Sequence, residues 1–288
     1  MNVVSSIKEM RGISDELRSS GKRIGFVPTM GALHEGHLSL VDNARRDSDV
    51  VVVSIFVNPT QFGRGEDFEK YPRELEKDKR KAEFRGVDYI FVPPDREMYP
   101  EEPLTFVEVE KVSQILEGEF RPGHFKGVAT VVAKLLHIVN PHVAVFGQKD
   151  AQQAFIIREM AKDLNFDVAI IVAPILRETD GLAMSSRNIY LSPVQRKEAT
   201  VLYRCLKLAE SMLKNGDTNL VEVRAAMIKL VNRESTCKLD YVSFVDPINF
   251  EKIEDGGLHT EILALIAARF GETRLIDNLQ MKVGKKPG

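Results

Sequence analysis

Residues 23–38 read RIGFVPTMGALHEGHL, and this stretch decides the fold. The run at residues 23–28 is largely apolar and predicts a buried strand, Gly31 predicts a turn, and helical spacing begins at about Glu35. Short runs rich in Val and Ile predict four more buried strands, at residues 49–57, 89–92, 143–147 and 168–172. Buried strands that alternate with helical segments indicate an α/β fold with a parallel, Rossmann-like sheet.

Helical spacing fills the intervals between these strands. It predicts helices on both faces of the sheet, at residues 38–45, 74–85, 125–139 and 151–164. Near Pro174 the alternation of strands and helices ends. Two successive helices are predicted at residues 193–213 and 220–232, and two further strands at residues 239–245 and 262–270.

This change of rhythm predicts two domains. We expect a Rossmann-like domain over residues 1–175 and a smaller α+β C-terminal domain, a candidate lid, over residues 176–288. The last residues, 283–288, have little to bury and are expected to be poorly ordered.

The composition is that of an ordinary soluble globular chain of 288 residues, with 43% hydrophobic and 28% charged residues. Its 40 basic and 42 acidic residues give a formal net charge of -2, which argues against nucleic acid or an anionic membrane as a partner. No apolar run approaches the roughly 20 residues of a membrane span, and no signal peptide is evident. Cys205 and Cys237 stand far apart in no metal-binding spacing. We expect a cytoplasmic protein with reduced cysteines.

Two histidines stand three residues apart after the first predicted strand. A helix that begins at about Glu35 directs its N–H groups and the positive end of its dipole toward the preceding turn, which suits a phosphate. His34 and His37 can then donate hydrogen bonds to phosphate oxygens, while Gly36 leaves room for a base or ribose. The chain has no GxGxxG here, and HExH lacks the HExxH spacing of zinc sites. A solvated histidine pair is an equally good interpretation of this motif alone.

Polar side chains follow two other predicted strands. Asn58 and Gln61 come after the strand at residues 49–57, where ligands of open α/β sheets bind. An Asn-Pro turn is also an ordinary way to end a strand, so this segment alone carries little weight.

The stretch after the strand at residues 143–147 suits a polyphosphate better. Gly147 permits close backbone approach, Lys149 supplies a mobile cation, and Asp150 can accept hydrogen bonds from ribose hydroxyls. Gln153 follows one helical turn after Lys149 and can point into the same cleft. A solvated Lys-Asp pair at a helix start is the alternative.

The fourth segment is LAMSSRN at residues 182–188, near the predicted domain boundary. Ser185, Ser186 and Arg187 supply two hydroxyls and a guanidinium that can wrap a triphosphate. A loop at a domain junction can also close over substrates and exclude water. A polar linker is the alternative.

Seven motifs occur together along the chain: PTMGALHEGH (28–37), FVNPTQF (56–62), YPR (71–73), RPGHFKGV (121–128), FGQKDAQQ (146–153), MSSRN (184–188) and TRLIDN (273–278). Together they resemble the pantothenate synthetase family along essentially the whole chain. That family belongs to the adenylate-forming nucleotidyltransferases, which carry a HIGH-type motif, here residues 34–37, and a KMSKS-type loop, here residues 184–187. Arg187 is present in this loop but the lysine pair is not, so its grip on phosphate must differ.

The resemblance implies roles for the residues at matching positions. For ATP it implies Met30, Gly31, Ala32, Leu33, His34, Glu35, Gly36, His37, Gly147, Gln148, Lys149, Asp150, Leu176, Met184, Ser185, Ser186 and Arg187. The implied catalytic residues are His34, His37, Lys149 and Arg187, with His37 as the proton donor. For pantoate it implies Gln61 and Gln153, with Asn58, Arg121 and His124 as neighbours and with Gln61 also beside β-alanine. Asp78 is the candidate for helping to hold Mg²⁺, although carboxylates on an exposed helix are usually just solvated.

The implied activity is an ATP-dependent ligation. Pantoate is activated as an acyl-adenylate with release of pyrophosphate, and β-alanine then displaces AMP to give pantothenate. A homodimer is also implied by the resemblance. The alternatives are a nucleotidyltransferase that moves AMP to a phosphate acceptor, a tRNA-binding synthetase fragment and a nucleotide-binding regulator. The near-neutral C-terminal portion supplies no basic module for tRNA, and a regulator would leave the pantoate residues without a purpose.

Overall fold

The structure is a computed structural model that describes residues 1–63 and 65–284. The chain divides into two compact units, Met1–Pro174 and Ile175–Gly288. None of the helices in the described residues is long and apolar enough to cross a membrane.

The first unit is built on a parallel sheet. In its described residues the strands are β1 (Asn2–Val4), β2 (Ile24–Thr29), β3 (Val50–Ile55), β4 (Tyr89–Phe91), β5 (Val143–Gly147) and β6 (Ala169–Ala173). They lie in the order β1-β4-β3-β2-β5-β6, and every pair is parallel. The predicted parallel α/β sheet is therefore confirmed.

Seven helices connect and cover these strands in the described part of this unit. They are α1 (Ile7–Ser19), α2 (Glu35–Arg46), α3 (Leu75–Phe84), α4 (Asp95–Met98), α5 (Glu117–Phe120), α6 (His124–Val139) and α7 (Ala151–Asp163). Short 3-10 turns at Pro59–Gln61, Val112–Gln114 and Gln148–Asp150 complete the unit.

Alternate strand residues divide between two apolar cores, as the two-residue period of a strand requires. Phe26 on β2 packs in one core with residues of α1, α6 and α7. Its neighbour Val27 packs in the other core with residues of α2 and α3. Helices thus cover both faces of the sheet, as the sequence predicts.

The strand order reverses between β2 and β5. The chain proceeds from β2 outward to β3 and β4, and β5 and β6 then lie on the opposite side of β2. In open α/β sheets the crevice at the carboxyl ends of such strands is the usual ligand site. The HxGH segment follows β2 and the GQKD segment follows β5, so the topology brings the two motifs to one edge of the sheet.

Two N-terminal elements differ from the sequence expectation, which assigned no structure there. β1 pairs with β4, and α1 packs against the core through Met10, Ile7, Ile13 and Leu17. The spacing of these four apolar residues is helical and was a readable signal.

The second unit is α+β, as predicted. In its described residues it contains α8 (Pro193–Glu198), α9 (Val201–Lys214), α10 (Leu220–Val231), β7 (Cys237–Val245), β8 (Glu261–Phe270) and β9 (Thr273–Lys282), with 3-10 turns at Ser186–Tyr190 and Gly256–Leu258. The strands form an antiparallel sheet in the order β7-β8-β9. One apolar core joins this sheet to α9 and α10, through residues that include Leu206, Met227 and Ile266.

Two details of this unit correct the sequence analysis. The single helix predicted at residues 193–213 is two helices, α8 and α9. The end of the chain was expected to be poorly ordered from Val283 onward, yet Val283 donates its N–H to Thr260 and Gly284 donates to Leu213. Residues 285–288 lie outside the described residues.

Candidate functional site

The turn after β2 is held by side chains from two other elements. The Asp78 carboxylate on α3 accepts the backbone N–H groups of Ala32, at 2.9 Å, and of Leu33, at 2.7 Å. Thr29 Oγ1 accepts the N–H of Gly31 at 3.1 Å and donates to the Ser54 carbonyl. Ala32 has a left-handed φ of 51°, a conformation that costs roughly 1–2 kcal/mol for an L-residue and that these hydrogen bonds help to maintain.

His34 and His37 together cap the start of α2. The Nδ1 atom of His34 accepts the N–H of Gly36 at 3.1 Å, and the Nδ1 atom of His37 accepts the N–H of His34 at 3.4 Å. The two rings lie with their centroids 4.1 Å apart. A neutral imidazole that accepts at Nδ1 carries its proton on Nε2. Each ring therefore presents an Nε2–H donor.

Burial and neighbouring cations keep both rings neutral. Desolvation, then the charges of Lys149 and Lys81, lowers the pKa of His34 to about 4. Desolvation lowers the pKa of His37 well below its usual value, with His34, Lys149 and Lys81 adding to the effect. Near neutral pH the pair consists of hydrogen-bond donors without positive charge, beside two lysine cations.

The hydrogen bonds of the turn and of the start of α2 determine which groups are left to bind a phosphate. The sequence suggested that free N–H groups at the start of α2 would do so. The N–H groups of His34 and Gly36 instead donate to the imidazoles, and those of Gly31, Ala32 and Leu33 donate to Thr29 and Asp78. The Nε2–H groups and the lysines are therefore the better candidates. Glu35 is exposed at this helix start and pairs with Arg85 at 2.5 Å.

The segment after β5 forms a 3-10 turn that leads into α7. Gly147, Gln148, Lys149 and Asp150 are half-buried there, and Lys149 Nζ lies 3.5 Å from Asp150 Oδ1. The effect of Lys149 on the pKa values of both histidines places its charge near the imidazole pair. The HxGH and GQKD segments thus form one polar group at the sheet edge.

Two successive glutamines on α7 have different surroundings. Gln152 is buried, donates to the carbonyls of Val112 and Ile115, and accepts the N–H of Glu117. Gln153 is half-buried. The side chain of Gln152 is therefore used in hydrogen bonds to the backbone of the same unit. The role of Gln153 in holding pantoate stays a prediction.

The turn after β3 is organised by Asn58. Its amide donates to Gln61 Oε1 at 3.1 Å and to the Gly127 carbonyl at 3.2 Å, and its oxygen accepts from Thr60 and Tyr99. Asn58 is 1% exposed, and this hydrogen bonding describes a residue that supports the turn. A direct contact between Asn58 and a substrate stays a prediction.

Gln61 connects this turn to the one after β2. Its Nε2 atom lies 3.0 Å from the Met30 sulfur, and the side chain is buried. Helix α6 can approach the turn because residue 127 is glycine: a Cβ there would lie 2.3 Å from the Thr60 carbonyl oxygen. Two segments of the family pattern, FVNPTQF and RPGHFKGV, are therefore in direct contact.

Arg121 and His124 both lie at the backbone carbonyl of Gln61. The Arg121 guanidinium forms two hydrogen bonds to the Glu66 carboxylate, at 2.7 and 2.6 Å. Arg121 also donates to His124 Nε2 at 3.0 Å, so the proton of His124 is on Nδ1, which donates to the Gln61 carbonyl at 2.8 Å. Burial and Arg121 lower the pKa of His124 to about 4. Binding of pantoate at Arg121 stays a prediction and would compete with Glu66.

Asp78 does not lie on an exposed helix face, which corrects the sequence analysis. It is 2% exposed, and burial raises the pKa of its carboxyl against the lowering effect of its two backbone donors. A metal ion would have to share oxygens that already accept those donors. Among the described residues, no group of three or more His, Cys, Asp or Glu is placed to hold a metal ion. The part of Asp78 in helping to hold Mg²⁺ stays a prediction.

The remaining candidates belong to the second unit. Leu176 and Met184 are paired, since the Met184 N–H donates to the Leu176 carbonyl at 3.0 Å. Ser185 caps the 3-10 turn Ser186–Tyr190 by accepting the Arg187 N–H at 3.2 Å. Leu176 is 38% exposed, whereas Met184 and the three residues after it are half-buried.

Sequence reasoning missed three residues that shape these groups. Lys81 donates to the Leu33 carbonyl at 2.5 Å, and its position three residues after Asp78 on α3 was the available signal. Glu66 as the partner of Arg121, and Tyr99 as a donor to Asn58, carry no local signal, because each depends on contacts between distant parts of the chain.

Comparisons with known proteins agree on one family. The sequence profile of the family described as Pantoate-beta-alanine ligase matches residues 2–280. The pantothenate synthetase of Thermotoga neapolitana is 53% identical over 278 residues, covering 96% of this chain and 99% of the relative. That of Caldicellulosiruptor bescii is 53% identical over 279 residues, covering 97% and 98%.

Solved structures give the same result. Pantothenate synthetase from Thermus thermophilus superposes with a TM-score of 0.92 at 45% identity, covering 97% of this chain and 99% of that one. Pantoate-beta-alanine ligase from Francisella tularensis, complexed with beta-gamma ATP and beta-alanine, superposes with a TM-score of 0.79 at 37% identity, covering 97% of each chain. The chain belongs to the pantoate-beta-alanine ligase family.

Proposed function

We propose that the chain joins pantoate to β-alanine in two steps, through a pantoyl-adenylate, with ATP consumed to AMP and pyrophosphate. The observation that carries the proposal is the neutral imidazole pair at the end of β2, with its Nε2–H donors beside Lys149 and Lys81. Donors and cations of this kind stabilise charge that develops on phosphate oxygens.

The chemistry requires activation before amide formation. A carboxylate is a poor acceptor for an amine, because its carbonyl is anionic and oxide is a poor leaving group. Attack of a pantoate oxygen on the α-phosphorus of ATP forms the mixed anhydride and expels pyrophosphate. The amine of β-alanine then attacks the carbonyl, and AMP leaves.

In the first step, negative charge moves toward the departing pyrophosphate. We assign His37 and His34 to donate hydrogen bonds there through Nε2, and Lys149 to supply positive charge. A single well-placed donor is worth about 3–4 kcal/mol in such a site. His37 acts as a donor that stays neutral between turnovers, because its pKa is well below its usual value.

The loop of the second unit is assigned to the same nucleotide through its match to the family motif. Ser185 and Ser186 would donate to phosphate oxygens, and Arg187 would bind two of them at once. Leu176 would contribute backbone groups, because its side chain has no polar atom.

For pantoate, the proposal assigns Gln153 and Gln61. An amide can donate to one oxygen and accept from a hydroxyl, which suits a dihydroxy acid. Gln61 lies in the hydrogen-bonded group that contains Asn58 and Met30, so it would be well fixed in place. Arg121 and His124 lie next to Gln61 and are proposed neighbours of the bound acid.

Magnesium is proposed to enter with ATP. Mg²⁺ commonly keeps several waters and is held by substrate phosphates. This agrees with the lack of a metal-binding group among the described residues. The proposal also includes a homodimer, on the family resemblance, and a cytoplasmic location, on the cysteine usage of the sequence.

In the second step, orientation carries much of the rate. The described residues offer several neutral imidazoles, and the proposal assigns none of them as a base for the β-alanine amine. Holding two reactants in a productive geometry can supply about 7–11 kcal/mol. The anhydride must also be kept from water until the amine arrives.

The test is exchange of labelled pyrophosphate into ATP, with pantoate present and β-alanine omitted. The proposal predicts exchange that depends on pantoate and on Mg²⁺. Exchange that requires β-alanine would show that no free adenylate forms. Exchange supported by a phosphate-bearing acceptor instead of pantoate would favour a simple nucleotidyltransferase.

A further inference from the structure

Asp277 is a buried carboxylate in TRLIDN, a motif to which the proposed function gives no role. It lies on β9 in the second unit, and its side chain is 2% exposed. Its two oxygens accept from the Arg177 guanidinium, at 2.6 and 2.9 Å. A charge buried to this degree is stable only when it is paired in this way.

Arg177 belongs to a short hairpin that leads into the MSSR loop. Arg177 and Ala183 form an antiparallel bridge, the Met184 N–H donates to the Leu176 carbonyl, and the Glu178 N–H donates to the Leu182 carbonyl at 2.8 Å. The open end of this hairpin is therefore the Leu176–Met184 pair. Both of these residues are candidates for the nucleotide site.

The Arg177 guanidinium is one of the groups that join this hairpin to the rest of the unit. Besides Asp277, Arg177 donates to the carbonyls of Gly181, at 3.0 Å, and Asn278, at 3.3 Å, and it stacks on the Tyr203 ring at 4.2 Å. Residue 181 must be glycine, because its φ is +95° and a Cβ would lie 2.2 Å from a Tyr203 ring carbon. The turn of the hairpin is thus fixed against α9 and β9.

The loop is attached to the hairpin at its far end as well. Asn188, which follows Arg187, donates through its amide to Glu178 Oε1 at 3.0 Å and to the Ala183 carbonyl at 3.1 Å. Arg196 in turn binds Glu178 at 2.6 Å. Any tilt of the hairpin would therefore move both ends of the Met184–Asn188 stretch.

We propose that Asp277 and Arg177 are positioning residues for the adenylation step: Asp277 fixes the Arg177 guanidinium, and Arg177 sets the hairpin that carries Leu176, Met184 and the loop that follows. This inference rests on the proposed function, because it assumes that the loop acts on the polyphosphate. It predicts an effect on pyrophosphate chemistry that amide formation does not share.

The test compares the two half-reactions in Asp277→Asn. Pantoate-dependent pyrophosphate exchange should fall about 10- to 100-fold, the loss expected when catalytic groups shift by about 1 Å. Reaction of supplied pantoyl-adenylate with β-alanine should stay within about twofold of the unsubstituted protein. A second variant, Arg177→Met with Asp277→Leu, removes both charges without leaving one buried alone, and it should show the same split.

The matched control is Asp240→Asn. Asp240 on β7 accepts from Arg274 Nε on β9 at 2.6 Å, and the two side chains are 6% and 14% exposed, so this is another buried Asp–Arg pair of the same sheet. It should lower the melting temperature but leave the ratio of the two half-reaction rates unchanged.

The outcomes separate the inference from the proposed function. Absence of pantoate-dependent exchange in the unsubstituted protein would reject the proposed function and this inference with it. Normal exchange there, with equal losses in both half-reactions for both Asp277 variants, would reject the inference alone. The same split in Asp240→Asn would also reject it, since general loosening of the sheet would then be the cause.

Discussion

His34 and His37 each use their two ring nitrogens for different purposes. Nδ1 of each ring accepts a backbone N–H and fixes the start of α2, so the proton is on Nε2. The structural and the proposed chemical tasks of the pair therefore depend on one tautomer. Protonation would break the capping contacts and add a charge to a partly buried site that already holds Lys149 and Lys81.

The first prediction concerns the protonation of these rings. In ¹⁵N-histidine spectra His34 and His37 should be Nε2–H tautomers and should not titrate between about pH 7.5 and 5.5, whereas an ordinary histidine changes charge near pH 6.5. The lowered pKa of His34 also makes the free energy of unfolding depend on pH. Because the folded pKa is about 4, the stability that comes from the neutral ring is fully present above the unfolded pKa, and it is lost as the pH falls toward the folded pKa. A titration midpoint above about pH 6 for either ring would contradict the assignment.

A second residue-scale prediction concerns Asp78. In Asp78→Asn one of the two carboxylate acceptors becomes an amide donor that faces a backbone N–H. This should cost about 1–3 kcal/mol of unfolding free energy and lower the rate of pyrophosphate exchange. Glu76→Gln is the control, because Glu76 lies on the same helix but pairs with Lys79 in solvent. Urea unfolding and exchange assays check both variants, and an unchanged exchange rate in Asp78→Asn would show that the support of the turn by Asp78 does not matter for adenylation.

At the scale of elements, the site is formed by the ends of strands and by helices that fix the intervening turns. Helix α3 binds both the donors and an acceptor of the turn after β2. Asp78 accepts the N–H groups of Ala32 and Leu33, and Lys81 donates to the Leu33 carbonyl. Helix α6 holds the turn after β3 through the close approach at Gly127. Through these contacts both helices are expected to influence the chemistry by fixing the two turns, in addition to the proposed role of His124 at the start of α6.

Helix α7 offers a matched comparison between neighbouring glutamines. Gln152→Ala would leave the carbonyls of Val112 and Ile115 without their donor, which should cost about 1–3 kcal/mol of unfolding free energy and leave the KM for pantoate nearly unchanged. Gln153→Ala should raise that KM and leave the unfolding free energy nearly unchanged. Steady-state kinetics and urea unfolding measure both quantities. If the two variants behaved alike, Gln153 would lose its assignment to pantoate.

Several local signals in the sequence were informative, although those of α1 and Lys81 were missed. Buried runs and the Gly31 turn predicted β2, β5 and the start of α2, and hence the two strand ends that carry His37 and Lys149. The partners of Ala32 and Arg121 could not be predicted, because Asp78 is 46 residues from Ala32 and Glu66 is 55 residues from Arg121 in the chain. The expectation of free N–H groups at the start of α2 was wrong for His34 and Gly36 for a local reason, because imidazoles two and three residues away accept them.

At the scale of the whole molecule, the assigned residues fall in both units. The imidazole pair, Lys149 and the glutamines belong to Met1–Pro174, and the MSSR loop belongs to Ile175–Gly288. The central claim of the proposed function is that the carboxylate of pantoate becomes bonded to the α-phosphorus of ATP before β-alanine reacts.

Oxygen labelling tests this claim most directly. Pantoate with ¹⁸O in both carboxylate positions is incubated with ATP, Mg²⁺ and β-alanine, and the products are analysed by mass spectrometry. The account predicts one ¹⁸O in AMP, one in the amide carbonyl of pantothenate and none in pyrophosphate, because the anhydride oxygen leaves with AMP. Unlabelled AMP, or ¹⁸O in orthophosphate formed together with ADP, would contradict the acyl-adenylate.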